Sequence, residues 1–287
     1  MPRTSSRYAL PHPFLKWVGG KGQLLDLLLC RVTLTEGFRV YHEPFVGGGA
    51  LFFELYRQGL LREGAILSDK NPHLIETWEA VRSDVDGLVE RLAAHRGLHN
   101  EAYYYQIRSE LPSEPIDRAT RILYLNKTCF NGLYRENRSG MFNVPIGRYT
   151  DPPILDEANL RACSAALQGV ELRCQGFEEA AAQVGPEDFV YFDPPYVPVS
   201  ATSNFTQYVR GGFGEQDQRR LAEVFSALSR RGASVMLTNS WAPLVLECYR
   251  EFSLCPVSAA RSLNSRADRR GGVQEALVDN FSARALS

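Results

Sequence analysis

Apolar residues along this chain gather in short runs that end on glycine or an acid. Phe38-Arg-Val-Tyr-His-Glu-Pro-Phe45 leads into Gly47-Gly48-Gly49, Ala65-Ile-Leu-Ser-Asp69 ends on a carboxylate, and residues 188–193 lead into Pro194-Pro195. Residues 233–239 and 276–281 have the same character. Unbroken runs of this length suit strands of a parallel sheet, which are covered on both faces. The intervening stretches carry a helical period instead. Asn71-Pro72 supplies a cap and a proline at the first helical position, and Leu74, Ile75, Trp78 and Val81 follow on one face. Val85, Leu88, Val89 and Leu92 repeat the spacing, and 50–57 and 218–228 read as two further helices. The alternation predicts an α/β fold.

The rhythm breaks in the middle. From 72 to 163 the chain reads as helical and then turn-rich, with no run like those on either side. Residues 128–149, TCFNGLYRENRSGMFNVPIGRY, predict a β-hairpin turning at Asn137-Arg138-Ser139-Gly140. The expected organisation is an α/β domain of residues 1–71 and 164–287, split by an inserted recognition module of 72–163.

Composition narrows the function classes. At 287 residues and 44% hydrophobic, the chain has ample material for a folded core, which excludes disorder. No apolar run approaches the ~18 residues of a membrane span, and the N-terminus lacks an apolar signal core. Six cysteines without a C-x-x-C pair or clustered histidines predict reduced thiols and no metal site, and hence a cytoplasmic protein. The net charge of −1 gives no general affinity for nucleic acid. Residues 116–150 stand apart, with six basic side chains against two acidic ones.

Two motifs carry chemistry. Phe45-Val-Gly-Gly-Gly49 joins a strand to a helix, where missing side chains admit a ligand to the backbone and the helix start favours negative charge. Asp69 ends the next strand about 20 residues on, the place of a ribose-binding carboxylate. This signals an adenosine-containing cofactor and leaves a dinucleotide and S-adenosylmethionine both open, since the string is not G-x-G-x-x-G. Asp193-Pro194-Pro195-Tyr196 forces the chain out of the sheet at its carboxyl edge. Its residue types suit methylation of an exocyclic amine. Asp193 and the Pro194 carbonyl can each accept one N–H of an adenine N6, drawing the nitrogen towards sp3 geometry and freeing its lone pair. Tyr196 offers a ring for a base flipped out of a duplex.

With Phe14-Leu-Lys-Trp-Val-Gly-Gly-Lys21, Glu43-Pro-Phe-Val-Gly-Gly-Gly-Ala50, Leu67-Ser-Asp-Lys-Asn71, Phe130-Asn-Gly-Leu-Tyr-Arg135, Phe142-Asn-Val-Pro-Ile-Gly-Arg-Tyr149 and Leu237-Thr-Asn-Ser240 in order along the chain, the sequence resembles the Dam-type (D12 class) DNA adenine-N6 methyltransferases. The resemblance implies a seven-stranded S-adenosylmethionine-dependent methyltransferase sheet (Rossmann-like) whose last strand is antiparallel. It implies transfer of a methyl group to N6 of a flipped adenine in double-stranded DNA, with GATC as the expected site and restriction–modification among the expected settings. It assigns Asp193, Pro194 and Tyr196 to catalysis. Trp17, Lys21, Phe45, Gly47, Gly49, Asp69, Phe177 and Asp193 fall to the cofactor, with Lys21 near its carboxylate and Phe177 on its adenine. Lys127, Asn131, Leu133, Arg135, Arg138 and Arg148 are the DNA candidates: the resemblance implies base reading through Leu133 and Arg135, the arginine suited to guanine, with Asn131 nearby, and Lys127, Arg138 and Arg148, with Arg118, are candidates for phosphate. The basic stretch from Arg261 to Arg270 is a second candidate for the target strand. The expected enzyme uses no metal and no membrane, is a monomer or weak dimer, and is cytoplasmic, associating with the nucleoid through DNA. The residues also leave open the same transfer on cytosine N4 or RNA, a dinucleotide-dependent oxidoreductase, and a non-catalytic DNA-binding protein.

Overall fold

A computed structural model describes residues 9–17, 19–35, 37–137, 139–198, 213–259 and 273–281. By internal contacts the chain forms two units, one of residues 1–20, 47–60 and 71–172, the other of 21–46, 61–70 and 173–287. Residues 9–17 and 47–60 group with the helical middle of the chain.

The second unit is built on a seven-stranded sheet. Its strands are β1 (Tyr41–Glu43), β2 (Ala65–Asp69), β3 (Glu171–Cys174), β4 (Phe189–Phe192), β5 (Ser234–Ser240), β6 (Ser253–Ala259) and β7 (Val273–Asp279), in the order β3-β2-β1-β4-β5-β7-β6. β1 pairs in parallel with β2 and β4, and β4 with β5, while β7 runs antiparallel between β5 and β6. The expected α/β methyltransferase-like sheet with an antiparallel last strand is present. All four residues of β4, Phe-Val-Tyr-Phe, are buried, as a central strand requires. The unit's helices include α1 (Leu25–Val32), α8 (Phe177–Ala182) and α9 (Glu215–Arg231), and Val190, Phe192, Val235 and Leu237 pack with Leu221, Phe225 and Leu228 of α9, each side chain contributing about 1.5–3 kcal/mol of burial. The strand order reverses at β1, whose neighbours β2 and β4 are reached in opposite directions. Ligands of open α/β sheets sit outside the strand ends at that point. Phe45, Asp69 and Asp193 follow β1, end β2 and follow β4 respectively.

The first unit is helical. It contains α2 (Ala50–Arg57), α3 (Pro72–Ser83), α4 (Val85–Leu98), α5 (Glu101–Ser109), α6 (Pro115–Thr128) and α7 (Glu157–Ala166). Asn71 caps α3 as expected, its side chain accepting from the His73 and Leu74 amides. Trp78, fully buried, is stacked on Phe53 at 5.6 Å and edge-on to Phe14 at 4.8 Å. The expected hairpin is reduced to two antiparallel bridges, Cys129–Ile146 and Glu136–Phe142. Its turn is closed by Asn137, whose carbonyl accepts from Gly140 and whose side-chain oxygen accepts from the Ser139 and Met141 amides. Among the described residues, no helix is long and apolar enough to cross a membrane and no group of side chains would hold a metal ion.

Candidate active site

Asp193 leaves β4 with its side chain about one-fifth exposed. Lys21, itself only 5% exposed, places Nζ 2.7 Å from Asp193 Oδ1, and the Thr238 hydroxyl donates to the same oxygen at 3.0 Å. Tyr191 on β4 shares a 2.8 Å hydroxyl bond with Thr238, which fixes the threonine from behind. Burial pushes the Asp193 carboxyl above the ordinary carboxylate range, while Lys21 and Thr238 pull it back. Burial thus works against the charged form of Asp193 while its two partners favour it, a balance common at functional positions.

Pro194 is buried, Pro195 exposed and Tyr196 half-buried. Burial, and then the Asp193 charge, pushes the Tyr196 phenol well above its ordinary range. Its hydroxyl stays protonated and donates to Glu275 Oε2 on β7 at 2.7 Å. Lys21 Nζ lies 4.8 Å from the centre of the Tyr196 ring. Gln218, Asn239 and Ser240 bond the backbone around Tyr196. Asn239 and Ser240 lie in the Leu237–Ser240 segment of the resemblance, whereas Gln218 and Glu275 carried no sequence signal beyond belonging to a helix and a strand.

The cofactor candidates of this unit share an edge. β1 ends at Glu43, opposite Leu67 of β2, and the Val46 amide donates to the Ser68 carbonyl at 3.0 Å. Asp69 is half-buried, and its carbonyl accepts from the Gln175 amide at 3.1 Å. Phe177 is buried and stacked on Phe45 at 5.8 Å, with Phe213 edge-on to both. Gln175 Nε2 is buried with no hydrogen-bond partner among the described residues. A nucleoside suits such an edge: a carboxylate for ribose hydroxyls, an aromatic pair for a base, and an amide donor for a ring nitrogen.

In the first unit the glycines answer to packing as well as to backbone geometry. Gly47 has φ +47°, and a Cβ there would meet the Trp17 ring at 2.6 Å; Gly49 has φ +64°, and a Cβ would meet Trp78 at 2.4 Å. Gly49 is the N-cap of α2, and no side chain caps that end. Trp17 is half-buried and stacked on Tyr134 at 5.4 Å.

The DNA candidates separate. Asn131 is exposed at φ +56°, Leu133 half-buried, and Arg135 and Arg148 exposed. Arg135 is tied across the bridged arms, Nε donating to Asn143 Oδ1 at 2.6 Å and Nη2 to the Asn143 carbonyl at 3.2 Å. Lys127 is half-buried, and burial followed by the Lys16 charge lowers its pKa. Arg118 is committed to Glu76 and to the Pro112 carbonyl at 3.3 Å, and Arg121 is buried on the Ile107 and Arg108 carbonyls. Local charge counting thus overstates the basic surface of this segment by two arginines. Arg138 and the 261–270 stretch lie outside the described residues.

Residues 17–263 match the D12 class N6 adenine-specific DNA methyltransferase family. The chain is 41% identical to the type II methyltransferase M.MjaIII of Methanocaldococcus jannaschii, over 94% of this chain and 99% of that protein. It is 39% identical to the type II methyltransferase M1.LlaDCHI of Lactococcus lactis subsp. cremoris, over 94% and 95% of the two chains. Its identity to the DNA adenine methylase of Escherichia coli K12 is 36%, over 92% and 94%.

Proposed function

The chain belongs to the D12 class of N6 adenine-specific DNA methyltransferases, and we propose that it methylates the adenine of GATC in double-stranded DNA with S-adenosylmethionine as methyl donor. The observation that carries the reading is the Asp193 carboxyl group at the end of β4, about one-fifth exposed, with Lys21 and Thr238 both on Oδ1. Oδ2 is the oxygen we assign to one N6–H of the adenine, and the Pro194 carbonyl takes the other. Held there, the amine loses conjugation with the ring and presents its lone pair, and the carboxylate stabilises the positive charge that grows on nitrogen during transfer. Tyr196 supplies the ring against which the flipped base stacks. S-adenosylmethionine contributes an electrophilic methyl group on its sulfonium. Asp69 would take its ribose hydroxyls, and Phe45 and Phe177 its adenine. Trp17, Lys21, Gly47 and Gly49 are assigned to the same ligand by the family resemblance. The enzyme is read as cytoplasmic, reaching the nucleoid through DNA, and as a monomer or weak dimer.

Duplex DNA is favoured over RNA because the reading residue is an arginine on a hairpin, which a wide major groove admits and the deep groove of RNA does not. Arg135 uses its Nε–Nη2 edge on Asn143, so the Nη1–Nη2 end is left for guanine O6 and N7. Arg135→Ala should therefore cost about 1–3 kcal/mol in kcat/KM on GATC, and much less on a site altered at the guanine it reads. Comparing kcat/KM on GATC and its single-base variants tests both ideas. Equal loss on every sequence makes Arg135 a backbone contact, and methylation confined to another sequence overturns GATC.

Tyr196 yields a second test. Tyr196→Ala should weaken binding of the extruded base by about 1–3 kcal/mol, whereas Tyr196→Phe keeps the ring and loses only the Glu275 bond. Fluorescence of 2-aminopurine at the target position reports the extrusion. Equal damage from the two substitutions shifts the role from the ring to the hydroxyl.

A further inference from the structure

The segment that follows Asp193 cannot anchor itself. Pro194 and Pro195 have no N–H, so two consecutive residues beyond β4 offer carbonyls and no backbone donor. The anchoring comes from two buried carboxamides on neighbouring elements. Gln218, 3% exposed in the first turn of α9, donates Nε2 to the Pro195 carbonyl at 2.8 Å. Its Oε1 accepts Asn239 Nδ2 at 3.0 Å. Asn239, fully buried on β5, accepts the Val197 amide at 3.1 Å, and Ser240 Oγ donates to the Val197 carbonyl at 2.7 Å. The peptide groups before and after Tyr196 are thus tied to one relay, Pro195 carbonyl to Gln218 to Asn239 to Val197 amide.

We propose that Gln218 and Asn239 are positioning residues for methyl transfer, acting through the peptide groups on either side of Tyr196. The inference rests on the reading of residues 193–196 as the catalytic segment. A satisfied buried network is rigid, and the relay fixes where the Pro194 carbonyl and the Tyr196 ring stand relative to Asp193. Displacement of such groups by a fraction of an ångström lowers the rate of the chemical step without altering what is bound.

Single-turnover methylation at saturating S-adenosylmethionine and GATC duplex tests this, because it separates the rate constant from the amount of folded enzyme. Gln218→Met keeps the side-chain length and removes both bonds. The expected result is a rate constant lowered at least ~10-fold with wild-type 2-aminopurine fluorescence. A purely structural role would reduce the amplitude and leave the rate constant unchanged, and that result overturns the proposal. Gln218→Glu carries the test should Gln218→Met fail to fold. As a carboxylate it opposes the Pro195 carbonyl; protonated, it donates to it. Its rate constant, divided by that of wild type at each pH, should rise as pH falls, and a flat ratio overturns the proposal. Failure of the underlying reading looks different: Asp193→Ala would then turn over normally whatever the Gln218 variants do.

Discussion

Replacing Asp193 with alanine is expected to lower the single-turnover rate of methyl transfer at least ~100-fold while the protein still folds, the magnitude seen when one preorganised group that stabilises developing charge is deleted. The side chain ends a strand whose own four residues are buried, so the sheet does not depend on it. What is lost is the partner of Lys21 at 2.7 Å and, in the proposed mechanism, the acceptor for the amine. Asp193→Asn separates these contributions. It keeps the shape and an oxygen for Thr238, but has no charge to balance the cationic nitrogen of the transition state. Both variants should bind duplex DNA and show a thermal transition near that of wild type. Turnover within a few-fold of wild type in either one would sink the mechanism, because no other carboxylate of the segment 193–196 exists to take over.

That site was legible in the sequence because its two signals are local. Phe189–Phe192 is an unbroken apolar strand, and the two prolines after Asp193 end it in any context. The edge strands were not legible. β3 buries one residue of its four, and in β6 Val257 is the buried position among Cys255, Pro256 and Ser258, so neither has the apolar density that marked the central strands. β1 is shorter than the run that predicted it, since Phe45 turns away to pack on Phe177. Side-chain partners also escaped the reading. Arg118 and Arg121 looked like surface charge, because counting charges cannot see a Glu76 that is 42 residues away in the chain or a buried carbonyl. Gln218 reads as a polar helix residue until its amide is found on Pro195. Local strings specify strand ends and turns, and the relations among distant polar groups become visible once the fold has brought them together.

Lys21 is the second position where a large effect is expected, and there the structure sharpens what the resemblance implies. The resemblance gives the lysine to the cofactor carboxylate; the geometry places it on Asp193 Oδ1 and over the Tyr196 ring. Burial raises the Asp193 pKa, and Lys21 is the first of the influences that lower it. In the proposed mechanism Asp193 acts as a carboxylate, so transfer should fall away as pH drops through that raised pKa, with the acid limb above the range of an ordinary carboxyl group. Lys21→Met removes the counter-charge and leaves the Thr238 hydrogen bond to oppose burial at the carboxyl. The limb should then move to still higher pH, and transfer near neutrality should fall about 10²-fold, comparable to loss of a preorganised charge-stabilising contact. Raising the pH should restore part of the rate in Lys21→Met and little in wild type. If the variant instead shows a raised Kd for S-adenosylmethionine, and at saturating cofactor has the rate and pH profile of wild type, then Lys21 serves the cofactor and the ion pair with Asp193 has no part in transfer. A change in which DNA sequence is methylated would contradict both roles, since neither Asp193 nor the cofactor reads the neighbouring bases.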